Sequence, residues 1–122
     1  MRTYTVLVAE NDAVVARFLA SSLDLHFRSV KTVSNRQDLH SAVPRLRVDA
    51  VIADLETVTL ADVASLSRDY RLPVICTHRV PDDELWAAAL GAGATDLCGS
   101  SDVEAIVRAI RQSSDEARSH AA

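Results

Sequence analysis

Short unbroken apolar runs alternate along this chain with longer stretches in which apolar residues recur at helical spacing. Tyr4-Thr-Val-Leu-Val-Ala9 stops abruptly at Glu10-Asn11-Asp12, and Val14, Val15, Phe18, Leu19 and Leu23 then follow on one helical face. That is a strand leading into an amphipathic helix. A second strand is expected near residues 27–33, and Ser34-Asn-Arg-Gln37 reads as a capping box for a helix that Pro44 ends after Val43. Val48-Asp-Ala-Val-Ile-Ala53, closed by Asp54, is the nearly continuous apolar run of a parallel strand covered on both faces. Leu60 to Tyr70 predicts a third helix, Leu72 to Thr77 a fourth strand, and Asp83 to Leu90 a fourth helix stopped at Gly91-Ala-Gly93, with Gly93 taking a left-handed conformation. Thr95 to Cys98 is a fifth strand, and Ser101-Asp-Val-Glu104 a capping box for a last helix with Val103, Ile106, Val107 and Ile110 on one face. Five strands alternating with five helices across short connections specify right-handed βαβ crossovers and a three-layer α/β sandwich.

The 122 residues amount to one domain, expected over residues 1–112 with a polar tail at 113–122, and no internal repeat is visible. At 48% hydrophobic and 25% charged the chain has globular composition, which argues against disorder. The net charge of −4 comes entirely from the second half, since residues 1–61 carry seven acids and seven bases. A mildly acidic chain with no basic stripe lacks the electrostatic footprint of a nucleic-acid binder, so direct DNA contact is not expected. The first apolar run is too short for a signal peptide, and no segment approaches membrane-spanning length, which predicts a cytoplasmic protein without membrane contact. Cys76 and Cys98 fit neither a disulfide framework nor a metal spacing and read as small core residues.

Chemistry in an open α/β sheet belongs at the carboxyl ends of the strands, where the strand order reverses. The first strand ends in Glu10, Asn11 and Asp12, the third in Asp54 with Glu56 beyond it, the fourth in Thr77 and His78, and the fifth in Gly99 and Ser100. In a flavodoxin-like doubly wound (βα)5 sheet, with its parallel strands in the order 2-1-3-4-5, Glu10 and Asp54 share one pocket. A cluster of hard oxygen ligands of this kind suits Mg²⁺. A carboxylate beside such an ion is also a nucleophile toward a phosphoryl group.

Val6-Leu-Val-Ala-Glu-Asn-Asp12, Asp49-Ala-Val-Ile-Ala-Asp54, Leu72-Pro-Val-Ile75 and Ala92-Gly-Ala94 together resemble the successive signatures of response-regulator receiver domains, over essentially the whole chain. The resemblance implies that Asp54 accepts a phosphoryl group from a histidine kinase, and that the domain then signals through protein contacts instead of acting as an enzyme. It also implies a docking face on helix 4, strand 5 and helix 5, with a homodimer through that face as one use of it. The other family positions depart from the pattern. Glu10 keeps the first acidic position, but Asn11 stands where the family places a direct Mg²⁺ ligand, so magnesium binding should be weak or lost. The family's hydroxyl position falls on His78, which either donates to a phosphoryl oxygen or fills the pocket. Its lysine falls on Ser100, and the only lysine, Lys31, lies on the second strand, so the cation expected beside a phosphoryl group is missing. Leu97 replaces the aromatic switch residue, and the usual Pro and Gly are absent after the acceptor.

Two expectations follow. One is a phosphoacceptor domain with Glu10, Asn11, Asp54 and Glu56 around the metal and His78 and Ser100 beside the phosphoryl group. The other is a phosphorylation-independent pseudo-receiver that keeps only the docking face. A flavodoxin-like cofactor binder is disfavoured, because no glycine-rich loop follows the first strand. Glu56 reads as a solvated carboxylate, a surrogate metal ligand or a charge that repels phosphate, Asp12 as a helix cap or a compensating ligand, and Trp86 as half-buried packing, or as the mark of an interaction face where its ring is exposed. His26, His40 and His120 read as surface residues.

Overall fold

A computed structural model describes the backbone of residues 4–121 and the side chains of residues 4–113. Strands β1 (Thr5–Ala9), β2 (Ser29–Val33), β3 (Ala50–Asp54), β4 (Val74–His78) and β5 (Asp96–Gly99) alternate with helices α1 (Ala13–Leu23), α2 (Arg36–Leu46), α3 (Leu60–Asp69), α4 (Asp83–Gly91) and α5 (Val103–Ala121). All strand pairs are parallel, in the order β2-β1-β3-β4-β5, which is the flavodoxin-like arrangement.

Strand alternation divides the core into two layers. Leu7, Ala9, Val51, Ala53, Val74, Cys76 and Leu97 face Leu39, Val43, Val63, Leu66 and Ala89 of α2, α3 and α4. Val6, Val8, Ala50, Ile52, Ile75 and Cys98 face Leu19, Leu23, Ile106 and Ile110 of α1 and α5. Every residue of β3 is buried, as the apolar run Ala50–Ala53 requires, and the Asp54 that ends it is buried with them. Cys76 and Cys98 are free and buried, and burial pushes their thiols up to about 12 and about 11, so both act as packing residues.

Four local expectations change. Pro44 lies inside α2, which runs two residues further to Leu46 and closes on Arg47 in a left-handed conformation. Pro44 deletes the one hydrogen bond its N–H would make to the His40 carbonyl, and the packing of Val43 and Leu46 on the core carries the helix past it. The cap of α2 is Asn35, whose side chain accepts from the Asp38 N–H at 2.8 Å, and α5 begins after Asp102, which accepts from the Ala105 N–H at 3.2 Å. Both caps thus sit one residue later than the Ser-based boxes place them. Finally, α5 continues through the segment read as a tail. Residues 113–121 contain no proline or glycine, and the Ser113 hydroxyl donates to the Ala109 carbonyl at 3.0 Å. The side chain of His120 lies outside the described residues.

Gly93 follows the end of α4 at φ +111°, as its position predicts. A Cβ there would stand 2.7 Å from the Ser67 Oγ and 3.0 Å from its Cβ. Gly93→Ala is therefore expected to lower stability by about 2 kcal/mol in urea unfolding. Adding Ser67→Ala should restore only part of this, because the Cβ contact and the backbone strain remain.

Candidate functional site

β1 and β3 lie side by side in the middle of the sheet, and both end in acids. Continuing the alternation of Val6 and Val8 brings Glu10 to the same side as Asp54, and both carboxylates are buried, at 5% and 3% exposure. Glu10 Oε2 accepts the Asp12 N–H at 3.0 Å, while the Asp12 carboxylate turns away to cap α1 through the N–H groups of Val14 and Val15. Asp12 is thus occupied as a cap.

The chain turns sharply after Asp54, whose carbonyl accepts the N–H groups of Thr57 and Val58, both at 2.9 Å. This turn brings the Thr57 hydroxyl to Asp54 Oδ2, to which it donates at 2.8 Å, and the Glu56 N–H donates to the same oxygen at 3.2 Å. Thr57 Oγ1 also accepts the Asn11 N–H at 2.9 Å, so one hydroxyl fastens the β1–α1 turn to the β3–α3 turn. Thr57 had gone unremarked in the sequence, where its only signal is its place three residues after the strand-end aspartate.

These groups surround a cavity of about 250 Å³ lined by Glu10, Asn11, Asp54, Glu56, Arg79 and Ser100, with Asp12 and Val15 at its α1 side. Ser100 is 9% exposed, and its hydroxyl has no hydrogen-bond partner. The cavity also contains a cation that the sequence reading missed. Arg79, the first residue after β4, donates from Nε and Nη2 to the two oxygens of Glu56, both at 2.7 Å. Its only advance signal was its place at the same strand-end rim. His78 does not line this cavity. Its Nδ1 accepts the Val80 N–H at 3.0 Å, which puts the proton of the neutral ring on Nε2, 3.8 Å from Glu56. Thr77 is buried and pairs in register with Asp54, and Leu97 is buried in the α2–α4 layer. A larger open groove of about 660 Å³ between α1 and α2 adjoins the site and shares Glu10 and Asn11 with it.

Burial raises the pKa of Glu10, and the charges of Asp54, Asp12 and Glu56 raise it further against the Asp12 N–H. Asp54 is likewise raised by burial and by Glu56, against the hydrogen bonds from Thr57 and the Glu56 N–H. Glu56 moves the other way, lowered by its hydrogen bonds with Arg79. The pocket therefore holds more negative charge than its own groups balance. Among the described residues no three His, Cys, Asp or Glu side chains are arranged to hold a metal ion. The two buried carboxylates do fit Mg²⁺ as it is commonly bound, through one or two carboxylates with water in the remaining positions.

A second polar cluster links α2 to α3. The Asp62 carboxylate, with its side chain 4% exposed, accepts from Arg36 at 2.6 and 3.0 Å and meets His40 Nε2 at 2.8 Å. It also accepts the Thr59 N–H at 2.8 Å, while the Thr59 hydroxyl receives the Asp62 N–H, which completes a capping box on α3. His40 is accordingly tied to a buried acid, although it stays partly exposed. The Thr59-x-x-Asp62 spacing was the available sequence signal.

No protein-family model and no curated protein matches the sequence. Solved structures do resemble the fold. The signal receiver domain of a DNA-binding response regulator from Colwellia psychrerythraea 34H superposes with a TM-score of 0.80 at 18% identity, covering 92% of this chain and 98% of that one. A response regulator from Thermotoga maritima gives 0.78 at 21% identity, covering 89% and 98%. An orphan response regulator of H. pylori gives 0.77 at 18% identity, covering 91% and 96%. The chain has the fold of response-regulator receiver domains.

Proposed function

We propose that this receiver-fold chain is a phosphoacceptor module of two-component signalling, taking a phosphoryl group on Asp54 from the phosphohistidine of a histidine kinase. The observation that carries the proposal is Asp54 itself, a buried carboxylate at the end of the central strand, facing a cavity beside Glu10. Both of its side-chain hydrogen bonds fall on Oδ2, so the carboxylate is fixed in orientation while Oδ1 serves as nucleophile. Oδ1 forms the new bond to phosphorus as the bond from phosphorus to the donor nitrogen breaks. The imidazole, protonated beforehand on its other ring nitrogen, leaves with the electron pair as the neutral ring, and an acyl phosphate remains. Glu10 and Asp54, with the Asn11 amide, are the residues that would hold Mg²⁺, whose role when bound is to neutralise phosphoryl oxygens. The amide in place of a carboxylate makes that binding weak.

The phosphorylated state is read by other proteins on the face formed by α4, β5 and α5, where Trp86 is exposed. A homodimer through the same face is one form of output. The net charge of −4 speaks against direct DNA contact, and the setting is the cytoplasm. No helix among the described residues is long and apolar enough to cross a membrane.

The second reading, a docking module that works without phosphorylation, is favoured by Asn11, Leu97 and the resting Glu56–Arg79 ion pair. Incubation with Mg²⁺ and a small acyl phosphate, followed by intact-mass measurement, separates the two. The phosphoacceptor reading expects one added phosphoryl group. An unchanged mass at every donor concentration leaves the docking module.

A further inference from the structure

The geometry points to Arg79 as the cation that receives the phosphoryl group on Asp54, with Glu56 holding it in place beforehand. The inference rests on the phosphoacceptor reading and adds to it a residue that serves the reaction from the β4–α4 connection.

Charge comes first. A phosphoryl group on Asp54 adds negative charge to a cavity already lined by Glu10, Asp54 and Glu56, and Arg79 is the single basic residue lining it. The guanidinium interacts electrostatically with Asp54 and Asp12 as well as with Glu56, so its field already reaches the acceptor. Geometry adds to this. Glu56 uses Nε and Nη2 of Arg79, which leaves Nη1 and its two hydrogens free, and a planar guanidinium can hold a carboxylate on one edge and a phosphoryl oxygen on another. The pair is also weakly committed, since the side chains of Arg79 and Glu56 are 72% and 39% exposed. Exposed ion pairs contribute little to stability, so this one is free to rearrange. An independent observation points to a ligand in the same cavity. Ser100, nine-tenths buried, lines it with a hydroxyl that has no partner, a donor available to a second oxygen of the same group.

In the step served, an Asp54 oxygen bonds to the phosphorus of a small acyl phosphate, the bond from phosphorus to the donor's bridging oxygen breaks, and the carboxylate leaves with the electron pair. Arg79 compensates the charge that now rests on Asp54. It is a binding residue for the phosphoryl group and takes no proton.

The test compares labelling rates of the full chain by intact mass at fixed acyl phosphate and Mg²⁺. Arg79→Ala is expected to slow labelling about tenfold without changing the melting temperature, because the side chain is exposed. Arg79→Lys, which keeps the charge, should retain at least a third of the wild-type rate. Labelling of the wild type with Arg79→Ala within twofold of it would overturn the role of Arg79 and leave the phosphoacceptor reading standing. An equal slowing in Arg79→Lys and Arg79→Ala would also overturn it, since charge would then not be the cause. If the wild type takes no label, both readings fall together.

Discussion

Asp62→Ala is expected to lower the melting temperature by roughly 10 °C, corresponding to a loss of about 3 kcal/mol. The Asp62 carboxylate is buried and satisfies Arg36, His40 and the Thr59 N–H, while its own N–H is received by the Thr59 hydroxyl. Truncation removes the reciprocal half of the capping box and leaves the Thr59 N–H without its acceptor, while the Thr59 hydroxyl still caps α3 through the backbone N–H of residue 62. Water replaces part of what Arg36 loses, because that side chain is half exposed, so most of the cost comes from the Thr59 N–H and the other hydrogen bonds the buried carboxylate accepted. Burial by itself would raise the Asp62 pKa, but the hydrogen bonds from Arg36, Thr59 and His40 outweigh it and hold the group well below the usual aspartate range. A folded-state pKa lowered in this way gives stability that is complete above the unfolded value and lost as the pH falls through the folded one. Thermal unfolding should therefore show the full gap between variant and wild type at neutral pH and a narrowing gap in strong acid. An undiminished melting temperature at neutral pH would mean that the cluster carries no net stability.

Asp54→Asn is expected to abolish phosphoryl uptake completely and, at neutral pH, to make the protein more stable by about 1 kcal/mol. The two effects have one cause. Asp54 is 3% exposed, and burial together with the Glu56 charge raises its pKa. A raised folded-state pKa means that the protonated group favours folding below the unfolded value, and that this advantage disappears as the pH rises through the folded value. At neutral pH the ionised carboxylate is then a liability to the fold. Asparagine keeps an oxygen to accept from Thr57 and the Glu56 N–H but carries no charge. The stability difference should be largest at neutral pH and close as the pH falls below the ordinary aspartate value. Equal melting temperatures at neutral pH would show that the pocket does not strain its acceptor.

The architecture was legible because its signals are local. A strand buried on both faces must be apolar along its length, and β3 is so up to the Asp54 that ends it; a helix that turns one face to a sheet must repeat at helical spacing, and α1 and α5 do. The boundaries were less legible where a local preference is overridden. Pro44 costs α2 one hydrogen bond, and the packing of Val43 and Leu46 against the core, which no local preference shows, carries the helix past it. The convergence of Glu10, Asn11, Asp54, Glu56 and Ser100 followed from strand order alone, because strand ends share one rim. The ion pairs of Arg79 and Asp62 were not legible, since the partner of the first lies 23 residues away and that of the second 26 residues away. Such pairings depend on how side chains cross between elements. Ser100 stands where the family's lysine is expected, and Arg79 lines the same pocket from the loop after β4, a placement that the strand pattern does not show.

The central claim is that Asp54 is the residue that takes the phosphoryl group. Its most direct test is to treat the protein with an acyl phosphate and Mg²⁺, reduce with borohydride, which converts an aspartyl phosphate to homoserine, and sequence the peptides by mass spectrometry. The account predicts homoserine at position 54 and nowhere else. Reduction at another aspartate, or at none while the intact protein gains a phosphoryl group, would contradict it.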